Sequence, residues 1–277
     1  MDTIQEKKKK LEQILTKMGQ VAVAFSAGVD STFLLRVAHD TLGDNALAVT
    51  AVTGAFPQRE REAARAFCQK EGIRRLEVPL DVFELDAFRL NPPDRCYYCK
   101  RAIFGRMLEA VKETGDFCLV EGSNVDDLKD YRPGMRAIDE LGVRSPLREA
   151  GLLKSEIREL SHALGLPTWD KPSFACLATR IPSGTDITPE LLLRVEKAEE
   201  LLSDLGFSQY RTRVNGREAR LELRPDEFER VMRPEVREKI TQTLHELGFA
   251  FVSLDLDGYR TGSLNVGSSG KKTDSSI

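Results

Sequence analysis

Between residues 21 and 165, short β-branched apolar runs alternate with amphipathic segments, and this alternation leaves few folds open. The runs at 21–25, 47–53, 76–80 and 117–121 are strand-length, and the segments at 32–42, 59–71 and 100–112 repeat their apolar residues at helical spacing. Strands separated by helices return as parallel neighbours, with the helices covering both faces of the sheet. The expected fold class is therefore α/β. Ligands of such sheets lie beyond the carboxyl ends of the strands, so the loop after the first strand is the first place to look for chemistry.

A second unit is expected from Thr188-Pro189-Glu190, which supplies an N-cap, a first-turn proline and a first-turn acid, with Gly206 closing the helix. Alternating residues at 210–214 and 219–223 flank Asn215-Gly216 as a hairpin, followed by a helix to Leu247 and a strand at 249–254. The expected division is a nucleotide domain over 1–185, a smaller α+β domain over 186–266, and a disordered Gly, Ser and Lys-rich tail over 267–277.

The chain has 277 residues and a formal net charge of -3, which gives no global attraction to nucleic acid; any such contact would need a local patch. The lysine run at 7–10 falls in an amphipathic segment with Leu11, Leu15 and Met18 at helical spacing, read as a solvated helix rather than a targeting peptide. Apolar runs stay far below the roughly 20 residues of a membrane helix. A cytoplasmic protein with no membrane partner is expected. In that reducing setting the five cysteines matter for their chemistry more than for pairing.

Ser26-Ala27-Gly28-Val29-Asp30-Ser31 joins the first strand to the first helix of the sheet. First-turn amides have no intrahelical acceptor and favour an anion, Ser26 and Ser31 add hydroxyls, and Gly28 admits close backbone approach. Asp30 would repel a phosphate unless a cation lay between them, which points to magnesium. A capped helix after a buried strand would show the same residues without any ligand. The segment is neither a Walker A loop nor a dinucleotide fingerprint.

It resembles the SGGxDS motif of PP-loop ATP pyrophosphatases, with Ala27 at the second glycine. Glu121-Gly122-Ser123-Asn124-Val125-Asp126-Asp127 and Leu153-Lys154-Ser155-Glu156 resemble the second and third elements of those enzymes. The resemblance implies that Ser26, Gly28, Asp30 and Ser31 hold ATP phosphates and Mg2+. It also implies that backbone near Ala24, Phe25, Thr50 and Gly122 meets the adenosine. Lys100, Arg101 and Lys154 are candidates for the leaving pyrophosphate, and each is equally readable as a solvated charge.

Cys96-Tyr97-Tyr98-Cys99 and Cys176 lie in proline-bearing loops of the same domain. They are readable as a zinc site short of a ligand, as a redox pair with Cys176 independent, or as three thiolates on a [4Fe-4S] cluster. His39, His162 and His245 fall on helical segments away from these loops, which makes four-ligand zinc the least natural; Cys68 and Cys118 read as core.

From about 21 to 265 the chain resembles the LarE family of sulfur-inserting enzymes, on the phosphate loop, Asp130-Tyr131-Arg132-Pro133-Gly134, Ala175-Cys176 before an arginine, Arg211-Thr212-Arg213 and Leu254-Asp255-Leu256-Asp257-Gly258-Tyr259-Arg260. One branch of that family gives up the sulfur of the cysteine matching Cys176. The branch with all three cysteines, which this chain matches, is similar to enzymes that carry sulfide on a [4Fe-4S] cluster. The family also implies a homo-oligomer, with a hexamer as one form, a pyridinium mononucleotide substrate and a sulfur donor. Arg211 and Arg213 project from one strand face, with Glu222 on the facing strand and Glu199 on the preceding helix. Spacing alone suits a surface ion-pair ladder, whereas the resemblance places these residues and Arg180 around the reactive cysteine.

The implied reaction adenylates a carboxylate with Mg-ATP, releases pyrophosphate, and displaces AMP with sulfide. The competing functions are a transfer-RNA thiolase, another carboxylate-activating enzyme, and a non-catalytic nucleotide-binding module.

Overall fold

The structure is a computed structural model that describes residues 2–129, 133–172 and 175–260. Its chain divides into two compact units, Met1–Cys176 and Leu177–Ile277, which places the division ahead of the expected 185/186. The expected tail at 267–277 lies outside the described residues, as do Asp130, Tyr131 and Arg132 of the family motif.

In the first unit, β1 (Val21–Ala24), β2 (Ala46–Val52), β3 (Arg74–Pro79) and β4 (Cys118–Val120) form one sheet in the order β3-β2-β1-β4. All three pairings are parallel, with Val21 opposite Ala46 on one side and Cys118 on the other. The expected parallel α/β sheet is thus present. The chain steps outward from β1 to β3 and then returns to the other side of β1. This reversal puts the topological switch point of the sheet between β1 and β4, the usual ligand position of such sheets.

Helices α1 (Ile4–Met18), α2 (Val29–Leu42), α3 (Gln58–Glu71), α4 (Asp86–Arg89), α5 (Arg95–Thr114), α6 (Pro133–Glu140), α7 (Pro146–Glu149) and α8 (Lys154–Ala163) complete the unit. α1 is more than a solvated helix: Leu11 and Leu15 are fully buried in the main core. A Thr3 and Glu6 capping box starts it, and Lys7 pairs with Glu156 at 2.7 Å. α2 is buried almost all round, Phe33, Leu34 and Leu35 included, because it packs between the sheet and both α1 and α8. That burial fixes the helix whose first turn follows the phosphate loop.

The second unit holds α9 (Pro189–Asp204), β5 (Tyr210–Asn215), β6 (Glu218–Leu223), α10 (Phe228–Val231), α11 (Pro234–Glu246) and β7 (Phe251–Leu254). Thr188 caps α9 by accepting from Leu191 N at 3.2 Å, and Gly206 follows its end at φ 79. β5 and β6 are antiparallel around the Asn215-Gly216 turn, and β7 joins β6 in parallel. No helix among the described residues is long and apolar enough to cross a membrane.

Candidate functional site

The strand-to-helix loop is held by its own short side chains. Phe25 extends β1 by donating to Val49 O at 2.8 Å, and its carbonyl accepts from Thr50 Oγ1 at 3.1 Å, so Thr50 secures the exit of the strand. Ser26 N donates to Ser31 Oγ at 3.3 Å, the two hydroxyls meet at 3.0 Å, and Ser31 Oγ donates to Gly28 O at 3.3 Å. Gly28 is the N-cap of α2 with φ -83, an ordinary extended value. The left-handed position is instead Ala27, at φ 55. An alanine there costs on the order of 1–2 kcal/mol relative to its right-handed form. Its methyl is buried in the main core, which offsets part of that strain.

Asp30 occupies the first turn of α2. Its Oδ2 accepts from Lys154 Nζ at 2.5 Å, whereas its buried Oδ1 has no hydrogen-bond partner. Burial raises the carboxyl above the ordinary aspartate range, with Lys154 opposing the shift and Asp127 adding to it. A buried carboxylate oxygen without a donor fits a hard cation, so Asp30 can hold magnesium here.

The three elements resembling a PP-loop site converge on this loop. A Cβ on Gly122 would stand 3.1 Å from Ser31 N and 3.3 Å from Asp30 C, so any larger residue would push the strand exit and the first turn of α2 apart by a few tenths of an ångström. Glu121 anchors that exit by accepting from Ser123 N at 3.0 Å, from Ser123 Oγ at 2.8 Å, and from Ser145 Oγ. Asp126 then accepts from Lys154 N at 2.9 Å, joining the second element to the start of α8. Lys154 reaches Asp30, while Lys100 packs its stem beside Gly134 and Arg101 donates to Tyr97 Oη at 3.5 Å.

Two further residues at the loop carry no sequence signal. Lys171 Nζ donates to Ala27 O at 3.0 Å and to Glu60 Oε2 at 2.6 Å. These partners are 144 and 111 positions away, so no local spacing could reveal them.

The cysteine expectations meet a more constrained picture. Cys96 is exposed and Cys99 buried, both in the first turns of α5 rather than in the loop before it, and Cys176 is half-buried. Burial, and after it the neighbouring Cys176 and Cys96, push the Cys99 thiol up to about 12, with Arg95 and Lys100 opposing the shift. Among the described residues no group of three or more His, Cys, Asp or Glu is disposed around a common metal position. Cys68 is buried in the core with its thiol raised to about 11, and Cys118 is half-buried.

The second unit buries charge. Arg180 donates to Glu199 from Nε at 2.8 Å and from Nη2 at 2.7 Å, with side-chain exposures of only 0% and 2%. Glu199 also accepts from Thr212 N at 3.0 Å. Arg213 pairs with Glu222 at 2.9 Å and donates to Thr179 O at 2.7 Å. Arg211, opposite Glu222 in the β5 and β6 register, lies 5.0 Å from the Tyr259 ring; burial and then Arg180 lower its pKa. The surface-ladder alternative fails, since all five charged side chains are buried.

No family model matches the chain. Two relatives match along nearly the whole length. An uncharacterized protein of Synechocystis sp. is 40% identical over 95% of this chain and 98% of its own. The pyridinium-3,5-bisthiocarboxylic acid mononucleotide synthase of Lactiplantibacillus plantarum is 35% identical over 96% of each chain. One component of the glutamine-hydrolyzing GMP synthase of Archaeoglobus fulgidus is 28% identical over 68% of this chain and 65% of its own.

Proposed function

This chain belongs to the family of pyridinium-3,5-bisthiocarboxylic acid mononucleotide synthase, and on that premise we propose that it is an ATP-dependent sulfur transferase acting on a pyridinium mononucleotide. The observation that carries the nucleotide half is the meeting of Gly122, Lys154 and the 26–31 loop at Asp30, whose second oxygen has no donor. Ser26, Gly28 and Ser31 cradle the phosphates, Asp30 holds Mg2+, and Lys154 accompanies the pyrophosphate as it leaves. Ala24, Phe25, Thr50 and Gly122 flank the adenosine.

A substrate carboxylate oxygen attacks the α-phosphorus of ATP, and the bond to the bridging oxygen breaks to release pyrophosphate. The products of this step are an acyl-adenylate and pyrophosphate. Sulfide sulfur then bonds to the activated carbonyl carbon as the carbonyl–oxygen bond to AMP breaks, leaving a thiocarboxylate. The protein's contribution is positioning and charge neutralisation. Arg211 and Arg213 serve the anionic substrate through their planar, multiply donating guanidinium groups; Glu222 pairs with Arg213, and Glu199, itself bound by Arg180, accepts from the Thr212 N–H between them.

Cys96, Cys99 and Cys176 form the sulfur-handling site of this proposal. Three thiolates are the donor set that would hold a [4Fe-4S] cluster and would let it supply sulfide, but the described residues do not gather them around one metal position; the alternative source is the sulfur of Cys176 itself. Anaerobic purification and reconstitution followed by iron and sulfide analysis distinguishes them: iron retained by the wild type and lost in Cys96→Ala supports the cluster. An iron-free wild type whose Cys176 loses its sulfur after one turnover overturns it.

The adenylation step is tested by pyrophosphate release with the pyridinium biscarboxylate mononucleotide as acceptor. Asp30→Ala is expected to reduce the rate by on the order of 10² or more. Release undiminished in that variant would exclude Asp30 and its loop as the reacting site, whereas a wild type that binds nucleotide but releases no pyrophosphate would favour a non-catalytic nucleotide module.

A further inference from the structure

We infer that Lys171 is a positioning residue for the nucleotide loop, holding the Ala27–Gly28 peptide so that the Gly28 N–H faces an incoming phosphate. This inference rests on the reading of residues 26–31 as the ATP loop. The starting point is the backbone: Ala27 sits at φ 55, a region that alanine leaves readily unless something holds it. Its carbonyl is held by the Lys171 ammonium at 3.0 Å. A trans peptide sends its C=O and the following N–H in opposite directions, so fixing Ala27 O also fixes the Gly28 N–H. Released from Lys171, Ala27 would relax toward negative φ and rotate that peptide. The rotation would bring a carbonyl oxygen toward the anion in place of a donor.

The clamp is itself anchored at both ends. Glu60, in the first turn of α3, accepts from the same ammonium at 2.6 Å, so the charge does not depend on the loop for its partner. Arg158 fixes the backbone that carries Lys171, donating to Trp169 O at 2.7 Å and to Lys171 O at 2.9 Å. Arg158 belongs to α8, whose first residue, Lys154, bonds Asp30. The strained residue is therefore gripped from a rigid frame, and the methyl of Ala27, only 2% exposed, leaves the loop little alternative packing.

The inference predicts a coupling that a direct phosphate-binding role for Lys171 would not produce. Glycine adopts positive φ without strain, so Ala27→Gly should lessen the need for the clamp. Binding of Mg-ATP to the full-length protein, read by isothermal titration calorimetry, tests this with Lys171→Met, Ala27→Gly and the double variant. Lys171→Met alone is expected to weaken Mg-ATP binding about tenfold, as for loss of one charge-assisted hydrogen bond. In the Ala27→Gly background the same change is expected to cost less than about threefold, and Lys171→Arg should retain most of the affinity.

Thermal melting of each protein separates weakened binding from unfolding. If Lys171→Met does not fold, Glu60→Gln loosens the same ammonium and should give a smaller loss that Ala27→Gly again relieves. Equal losses in both backgrounds, or no loss in either, would overturn the positioning role. A wild type that fails to bind Mg-ATP overturns the nucleotide reading and this inference together, whereas wild-type binding that Lys171→Met leaves unchanged sinks only the latter.

Discussion

In the first unit, the 26–31 loop offers backbone amides and two hydroxyls around an aspartate with one oxygen left without a donor. In the second unit, Arg180, Arg211 and Arg213 are buried with Glu199 and Glu222, and two ion pairs are already formed. The first arrangement carries little charge of its own and keeps a coordination position open for a ligand. The second fixes three cations against two carboxylates before any ligand arrives, so its excess positive charge is part of the fold. A loop built from backbone tolerates loss of a side chain structurally but fails chemically. A buried charge network does the reverse, since each member is a condition for burying the others.

The sharpest way to break that contrast is to remove one carboxylate from the network. Glu199→Ala leaves Arg180 fully buried without its carboxylate and removes the acceptor of Thr212 N. Equilibrium urea unfolding should show a loss of about 3–5 kcal/mol. Arg180→Met with Glu199→Leu should lose much less, because neither charge remains. A single-variant loss below about 1 kcal/mol would mean that water reaches the pair, and the contrast would collapse.

The corresponding structural test in the first unit is Gly122→Ala. The new methyl would stand 3.1 Å from Ser31 N, against backbone that cannot rotate away. An overpacking cost of about 1–3 kcal/mol is expected in unfolding, together with weaker Mg-ATP binding as the first turn of α2 is displaced. Normal affinity in Gly122→Ala would show that the close approach serves packing alone.

These two regions also differ in what the sequence disclosed. The loop was legible because its requirements are local: small residues between a strand and a helix, in one contiguous stretch. The sheet was legible for the same reason, from the period of its apolar runs. Arg211 and Arg213 were visible as a same-face pair, but spacing alone suggested a surface ladder, because burial is a property of the assembled unit. Lys171 and Glu60 were invisible, as their partnership with Ala27 is created by the fold and not by any motif. Ala27 appeared as a mere departure from a glycine pattern. Its φ of 55 shows that the departure places strain at the loop.

The smallest expected effect is the most direct comparison of function with stability at Asp30. Burial raises its folded pKa above the ordinary 3.8, with Lys154 only partly opposing it. The folded protein therefore binds this proton more tightly than the unfolded chain. The stability this contributes is fully present below the unfolded value and is lost as pH rises through the raised folded one. Asn at position 30 never ionises and escapes that loss. Asp30→Asn should accordingly be more stable than wild type at neutral pH, by less than about 1 kcal/mol given partial solvent screening of the pair with Lys154. The gap should close as pH falls below the ordinary aspartate range, and paired urea titrations at neutral and acid pH would read it. With Mg-ATP present the order should reverse, because only the carboxylate gains a cation and binding stabilises the folded state by mass action. A less stable Asp30→Asn at neutral pH would mean that the Lys154 ion pair outweighs burial, making the nucleotide loop a charge-stabilised element like the interior of the second unit.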